Sequence, residues 1–155
     1  MIRHSLRWLT LTCCSLSVLT SPVAAAPKEK SALEQSIDRA LVFLAGTQDR
    51  EGAWGANYRG RNPAITALAV MAFLSAGHVP GEGKYGDIVQ RGIDFVLRSQ
   101  APNGLIANEG HYEMYQHGIC TLMLAEAIGM CEGKQADEVR QRLEKAVQIL
   151  SLIHI

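Results

Sequence analysis

The sequence has no excess of charge of either sign. Its 155 residues include 15 basic and 15 acidic side chains, and the pI is about 7.0. Proteins that hold nucleic acid or an anionic surface electrostatically carry a basic patch or a net positive charge. The composition therefore predicts no nucleic-acid partner.

Cysteines are few, and their positions do not suit disulfide bonds. Cys13 and Cys14 fall in a segment with the features of an export signal, and Cys120 and Cys131 remain after its removal. These two lie on or near one predicted helix, and their spacing of eleven residues corresponds to about 16 Å of helix. That is too far for a disulfide. We therefore predict two unpaired, buried thiols and a fold stabilised by helix packing.

Residue sets that bind metals or hydrolyse sugars are also missing. Asp49 to Gly52 lacks the regular oxygen spacing of a calcium loop, and no pair of carboxylates suited to glycoside hydrolysis is evident. His117 and Cys120 are three residues apart, as zinc ligands on a helix sometimes are, but no pattern supplies the other ligands. We predict no metal and no cofactor.

The first 26 residues have the features of an export signal. Arg3, His4 and Arg7 form a basic start, residues 8–19 are an apolar run, and residues 23–26 form a small-residue cleavage region. The run is shorter than the roughly 20 residues of a membrane span. We predict an exported protein, periplasmic or secreted, with no membrane span after cleavage. An uncleaved anchor is the alternative, and residues 27–31 form a short charged linker.

One stretch of sequence recurs along the chain. Residues 39–54, RALVFLAGTQDREGAW, return 52 residues later as residues 91–106, RGIDFVLRSQAPNGLI, and a third copy opens at Lys145, 54 residues further on. Self-similarity at a fixed spacing predicts a repeat architecture. The shared positions are Arg39, Phe43, Gln48, Gly52 and Trp54 in the first copy and Arg91, Phe95, Gln100 and Gly104 in the second, which has Ile106 in place of the Trp.

Each shared position has a structural role that its chemistry predicts. The spacing of Leu33, Ile37, Leu41 and Leu44 predicts an amphipathic helix over residues 33–47. Gln48 follows this helix, where an amide side chain can bond to backbone carbonyls that lack partners. Gly52 permits a turn with positive φ, and Trp54 can cover the joint.

The remaining segments predict two more outer helices and two inner ones. Asn62 and Pro63 predict a helix start, with Asn as the N-cap and Pro in the first helical position. The helix over 64–76 is apolar on all sides, which predicts an inner helix buried all round. The other predicted helices are 87–99 (outer), 119–130 (inner) and 137–150 (outer). The repeats then cover 32–84, 85–134 and, incompletely, 135–150. Residues 151–155 form a tail that departs from the repeat, and a non-native origin of this tail is one interpretation of that departure.

The recurring pattern, basic-small-x-x-aromatic-aliphatic-x-x-x-Gln-x-x-x-Gly-x-Trp, resembles the QW motif of squalene and oxidosqualene cyclases, which is related to the repeat of protein prenyltransferases. The third copy lacks the Gln and has His154 there. The resemblance implies an all-α fold of repeated helical hairpins forming part of an (α/α) toroid, with Gln and Trp joining the outer helices. Since a closed ring needs more hairpins, we expect a truncated member of this family. The alternative is that the chain stacks against other copies, because an open end of a repeat array leaves an apolar face uncovered.

The resemblance also implies where a ligand would bind, in the central cavity at the ends of the inner helices. His111, Tyr112, Tyr115 and His117 precede the second inner helix, so we expect them to line the cavity mouth, with aromatic rings to meet a cation or a polyene. The alternative is that Tyr115 and His117 satisfy helix ends and pack between repeats. Glu126 is a candidate buried carboxylate in the cavity, or else a structural residue paired with an arginine or a helix end.

No catalytic residue is assigned. Squalene-hopene cyclases protonate their substrate from an Asp-x-Asp-Asp cluster, and this sequence has no such run. We expect an exported protein that binds or cyclises an apolar, terpenoid-like small molecule. The alternative is a non-catalytic helical-repeat scaffold that binds protein or polysaccharide. A third alternative is an (α/α)-barrel enzyme acting on sugars.

Overall fold

The computed structural model describes residues 29–56, 60–110 and 112–152, and most of these residues are helical. The helices are α1 (Ala32–Thr47), α2 (Pro63–Ser75), α3 (Gly86–Arg98), α4 (Glu113–Ala127), a 3-10 turn (Ile128–Met130) and α5 (Gly133–Leu152). Two short antiparallel strands, β1 (Gly55–Ala56) and β2 (Gly60–Arg61), pair between α1 and α2. The prediction of an all-α protein is confirmed at this level. The export signal predicted in residues 1–26 lies outside the described residues.

Two helix starts are fixed by side chains that the sequence carries at the N-cap. Ser31 Oγ accepts from the Glu34 N–H, and the Glu34 carboxylate accepts from the Ser31 N–H, which is a capping box. At α2 the Asn62 side-chain oxygen accepts from the Ile65 N–H at 3.0 Å, with Pro63 in the first helical position. The predicted Asn-Pro helix start is confirmed.

The core lies between α2, α3 and α4. α2 packs against both α3 and α4, α4 packs against α5, and α1 adds a smaller contact to α2. The largest fully buried side chains of this core include Phe73, Ile93, Leu97, Met123 and Leu124. Because interiors are close-packed, removing one of these side chains costs about 2–5 kcal/mol. This packing holds the N-terminal halves of α2 and α4 side by side.

α4 begins six residues before the predicted inner helix, at Glu113 instead of Ile119. Glu, Met and Gln in this stretch favour helix, and a single interior glycine such as Gly118 costs only about 1 kcal/mol. Tyr115 and His117 are therefore helical residues and not part of a preceding loop. α5 also starts earlier than predicted, at Gly133, and it includes Ser151 and Leu152, which the sequence placed in the tail.

The prediction that α2 is buried all round is wrong in the described part of the chain. Leu68 is 50 % exposed, and Ala72 one turn further on is exposed as well. The reason is that α2 packs against α3 on one face and against α4 on another. The face with Leu68 and Ala72 is not covered by the described residues. A helix whose residues are apolar on every face is therefore not always covered on every face.

α1 is held less tightly than the other helices. Leu41 is its one buried residue, whereas Leu33 is 70 % and Phe43 is 68 % exposed. The apolar stripe predicted for this helix is therefore covered only in part. None of the described helices combines the length and the apolar character needed to cross a membrane.

Candidate functional site

The loops after α1 and after α3 are held by glutamine side chains in the same way. In the first loop (48–54), Gln48 Nε2 donates to the Gly52 carbonyl at 3.1 Å and to the Ile88 carbonyl of α3 at 2.9 Å. In the second loop (100–106), Gln100 Nε2 donates to the Gly104 carbonyl at 3.0 Å and to the Arg142 carbonyl of α5 at 2.9 Å. Each amide therefore fixes its own loop and joins it to a later helix.

The glycine of each loop lies against the backbone of that later helix. Gly52 has φ of 86°, and a Cβ built on it would lie 2.3 Å from the Arg91 carbonyl oxygen. Gly104 has φ of 95°, and its Cβ would lie 3.0 Å from the Lys145 carbonyl oxygen. Both the backbone conformation and the close approach require glycine. Both loops are therefore structural joints between successive helices.

Trp54 closes the first loop from inside. Its ring is buried and lies 6.3 Å from the Phe73 ring, and Nε1 donates to the Leu44 carbonyl at 2.9 Å. Its backbone N–H donates to Thr66 Oγ1 at 3.0 Å. The indole thus contributes both apolar burial and a satisfied hydrogen bond.

The prediction that His117 lines the cavity mouth is wrong. Its side chain is fully buried, and Nδ1 accepts from the Ile106 backbone N–H at 3.1 Å. Nε2 must then carry the ring hydrogen, which it donates to the Ala146 carbonyl of α5 at 3.0 Å. His117 therefore ties the second loop to α4 and α5, as the alternative interpretation held, and neither ring nitrogen is left for a ligand or a metal.

An apolar groove lies between the N-terminal halves of α2 and α4, with a volume of about 490 Å³. Two of the residues predicted to line a cavity, Tyr112 and Tyr115, lie at its rim and are 75 % and 69 % exposed. His111, which was also predicted to line the cavity, lies outside the described residues. The described lining of this α2–α4 groove is Asn62, Ala64, Ile65, Leu68, Tyr112, Tyr115, Gln116 and Ile119.

Two amides in the groove were missed as site residues by the sequence analysis. Asn62 was predicted only as a helix cap, and Gln116 was passed over between Tyr115 and His117. In the structure Asn62 Nδ2 donates to Gln116 Oε1 at 3.1 Å across the two helices. One feature of the sequence could have identified Gln116. Like Tyr115, it is a polar residue in the stretch that leads into an apolar helix.

The prediction of Glu126 as a buried carboxylate in the cavity is wrong. Glu126 is exposed, and it is absent from the described lining of the groove. It lies eleven residues beyond Tyr115 on the same face of α4, which places it about 16 Å away along the helix. Leu122, between them, is itself 53 % exposed, because this face of α4 is open.

Cys120 and Cys131 are buried and unpaired, as predicted from their spacing. Burial raises the pKa of the Cys120 thiol to about 12. Burial, and then the nearby Asp94 carboxylate, raise the pKa of Cys131 as well. Since the thiolate is the reactive form, both cysteines are expected to be unreactive at neutral pH.

Within the described ranges, no group of three or more His, Cys, Asp or Glu side chains is placed to hold a metal ion. Fold and groove together define an all-α protein with an open apolar groove between two packed helices. Comparison of the chain with protein-family models, with curated proteins and with solved structures gives no match.

Proposed function

We propose that this chain is part of an (α/α) toroid similar to those of squalene cyclases and prenyltransferases, with α2 and α4 as inner helices and α1, α3 and α5 as outer ones. The support is the pair of glutamine joints, whose acceptors Ile88 and Arg142 are 54 residues apart, close to the spacing of the sequence copies. The proposal includes the export signal in residues 1–26.

Within that architecture, we propose that the α2–α4 groove binds an apolar, terpenoid-like ligand. The observation that carries the proposal is the apolar lining of the groove, where Leu68 is exposed and Ile65 and Ile119 are half-buried. Tyr112 and Tyr115 line the same groove. The groove volume of about 490 Å³ is in the range of small-molecule sites. Covering such side chains with an apolar chain gains about 25 cal/mol per Å² removed from water.

Binding is better supported than cyclisation by the residues that line the groove. A cyclase that starts carbocation chemistry by protonation needs a carboxylic acid at the substrate. Neither Asp nor Glu is among the described lining residues, and Glu126 is exposed elsewhere on α4. We therefore propose a binding protein, in which any catalytic acid would have to come from outside the described lining of the groove.

Equilibrium dialysis with farnesene, an acyclic C15 hydrocarbon, tests the proposal. Leu68→Gln places an amide in the apolar wall and is expected to weaken binding about tenfold. Leu33→Gln is the matched control, because Leu33 is also exposed but lies on α1, away from the groove. Failure of the unmodified chain to bind farnesene, or equal effects of the two substitutions, would contradict the proposal.

The exposed apolar side chains of α1 favour a second candidate, a non-catalytic scaffold. Val42 and Phe43, which are neighbours on this helix, are 55 % and 68 % exposed, and adjacent exposed apolar side chains are typical of protein interaction sites. Light scattering distinguishes the two functions. If the chain forms an assembly that Phe43→Glu dissociates and Leu68→Glu leaves intact, the scaffold function would be favoured.

A further inference from the structure

The floor of the α2–α4 groove contains an amide whose orientation is fixed by its neighbours. Gln116 Oε1 accepts from Asn62 Nδ2 at 3.1 Å and from the Asn108 backbone N–H at 3.3 Å. A backbone N–H can only donate, so the atom that faces Asn108 must be the amide oxygen. Asn62 is fixed independently, because its own oxygen caps the Ile65 N–H.

This orientation leaves the Gln116 amide nitrogen without an acceptor among the described residues. Gln116 is only 9 % exposed, and it lines the groove. The amide nitrogen is not among the buried side-chain atoms that lack a partner in the described part of the chain, so it is open to the groove. A ligand that covered it without offering an acceptor would leave it buried and unpaired, which is unfavourable. An oxygen atom on a bound ligand would supply the missing acceptor.

The groove is suited to a neutral oxygen and not to an anion. None of its eight described lining residues is Asp, Glu, Lys, Arg or His. A phosphate or carboxylate placed there would lose its hydration without gaining a counter-charge. A carbonyl oxygen requires only one donor.

We propose that the groove selects an apolar, isoprenoid-like chain with a neutral carbonyl oxygen at one end, and that Gln116 Nε2 donates to that oxygen. Gln116 is then the residue that sets the ligand's polarity and position along the groove. This inference rests on the proposed function, since it concerns the same groove.

Three probes that share a 15-carbon isoprenoid chain test the inference by equilibrium dialysis with the 155-residue chain. Methyl farnesoate carries a neutral carbonyl, farnesene carries no oxygen, and farnesyl diphosphate carries an anion. We expect the ester to bind about tenfold more tightly than farnesene, as one hydrogen bond allows, and farnesyl diphosphate to bind more weakly than the ester.

Gln116→Glu is the decisive variant, because it keeps an oxygen for Asn62 and Asn108 but replaces the donating nitrogen by an acceptor. At pH 8 we expect the preference for ester over farnesene to disappear. Gln148→Glu makes the same change on the exposed side of α5 and should leave the preference intact. Gln116→Met has no amide group and should also remove the preference for the ester over farnesene. The ratio of the two affinities corrects for any loss of stability.

The outcomes separate this inference from the proposed function. Equal binding of farnesene and ester by the unmodified chain, or an unchanged ratio in Gln116→Glu, overturns the inference and leaves the proposed function standing. Tighter binding of farnesyl diphosphate than of the ester overturns the neutral-oxygen assignment. If neither farnesene nor the ester binds, the proposed function and this inference both fall.

Discussion

The first and second loops have the same backbone arrangement but are closed by different side chains. In the first, the buried indole of Trp54 fills the joint, and the small Thr66 accepts from its backbone N–H. In the second, Ile106 fills less space, and the larger His117 accepts from the corresponding N–H and reaches on to α5. A smaller side chain in the loop is thus accompanied by a larger one on the helix.

The two glutamines also differ in how fully they are hydrogen-bonded. Gln48 Oε1 accepts from an Arg91 side-chain nitrogen at 2.6 Å. Gln100 Oε1 is buried and has no partner. The residue that corresponds to Arg91 in the third copy is Lys145, whose backbone lies against Gly104 as that of Arg91 lies against Gly52. The comparison indicates that the glutamine of the second loop makes fewer of its possible hydrogen bonds than the glutamine of the first.

The largest expected effect is at Trp54. Trp54→Ala removes a buried ring and the hydrogen bond to Leu44, and we expect it to lower the free energy of unfolding by about 4 kcal/mol. Ile106→Ala in the second loop should cost less, about 3 kcal/mol. Urea unfolding followed by far-UV circular dichroism measures both. A Trp54→Ala protein as stable as the parent would show that the first loop does not depend on its indole.

A smaller difference is expected between the two glutamines. Gln48→Leu breaks three hydrogen bonds and should cost about 2 kcal/mol, whereas Gln100→Leu breaks two and also removes an unpaired buried oxygen, so it should cost about 1 kcal/mol. The same unfolding measurement distinguishes them.

Lys145→Arg sharpens this comparison, because it offers Gln100 the donor that Arg91 gives Gln48. We expect a gain of about 0.5–1 kcal/mol, which should vanish in the Gln100→Leu background. A larger loss of unfolding free energy in Gln100→Leu than in Gln48→Leu would reverse our ranking of the two joints.

The smallest expected effect is the acid sensitivity of the first loop. Partial burial acts to raise the pKa of Asp49, but bonds from the Ala53 N–H and from Arg61 outweigh it and hold the pKa below its usual range. A lowered folded-state pKa gives stability that is present above the unfolded pKa of about 3.9 and is lost as pH falls through the folded value. Asp49→Asn should therefore flatten the stability curve below about pH 4.

Ala101 occupies the corresponding position in the second loop and does not titrate. Ala101→Asp, which supplies a carboxyl without the Arg61 partner, is the matched control and should add less acid sensitivity than Asp49 provides. Circular dichroism measures the acid denaturation of the parent and Asp49→Asn proteins. Equal denaturation of the two would contradict the assignment of the acid sensitivity to Asp49.

The helices were predictable because their signals are local. Asn62 and Pro63 predict the α2 start, and the copies of the recurring stretch at residues 91–106 and from Lys145 predict α3 and α5. The predicted start of α4 is wrong because the apolar run begins only at Ile119, although the helix formers before it extend the helix to Glu113. The positions of the glutamine and glycine in each loop were also visible in the sequence.

The site was predictable only in part, because it depends on which faces the packing leaves open. Tyr115 and His117 are two residues apart, yet one lies at the groove rim and the other is buried against α5. Glu126 shares a face with Tyr115 but lies at the far end of α4. The role of Gln116 depends on donors from Asn62 and Asn108, which come from other segments of the chain.

The central claim is that the open face between α2 and α4 is a ligand site. Methyl NMR spectra recorded during titration with farnesene test it most directly. We predict that the resonances of Leu68 and Ile119 shift with a common dissociation constant, while those of Leu33 and Val147 on α1 and α5 do not. Shifts confined to α1 and α5, or no shifts at all, would contradict the account.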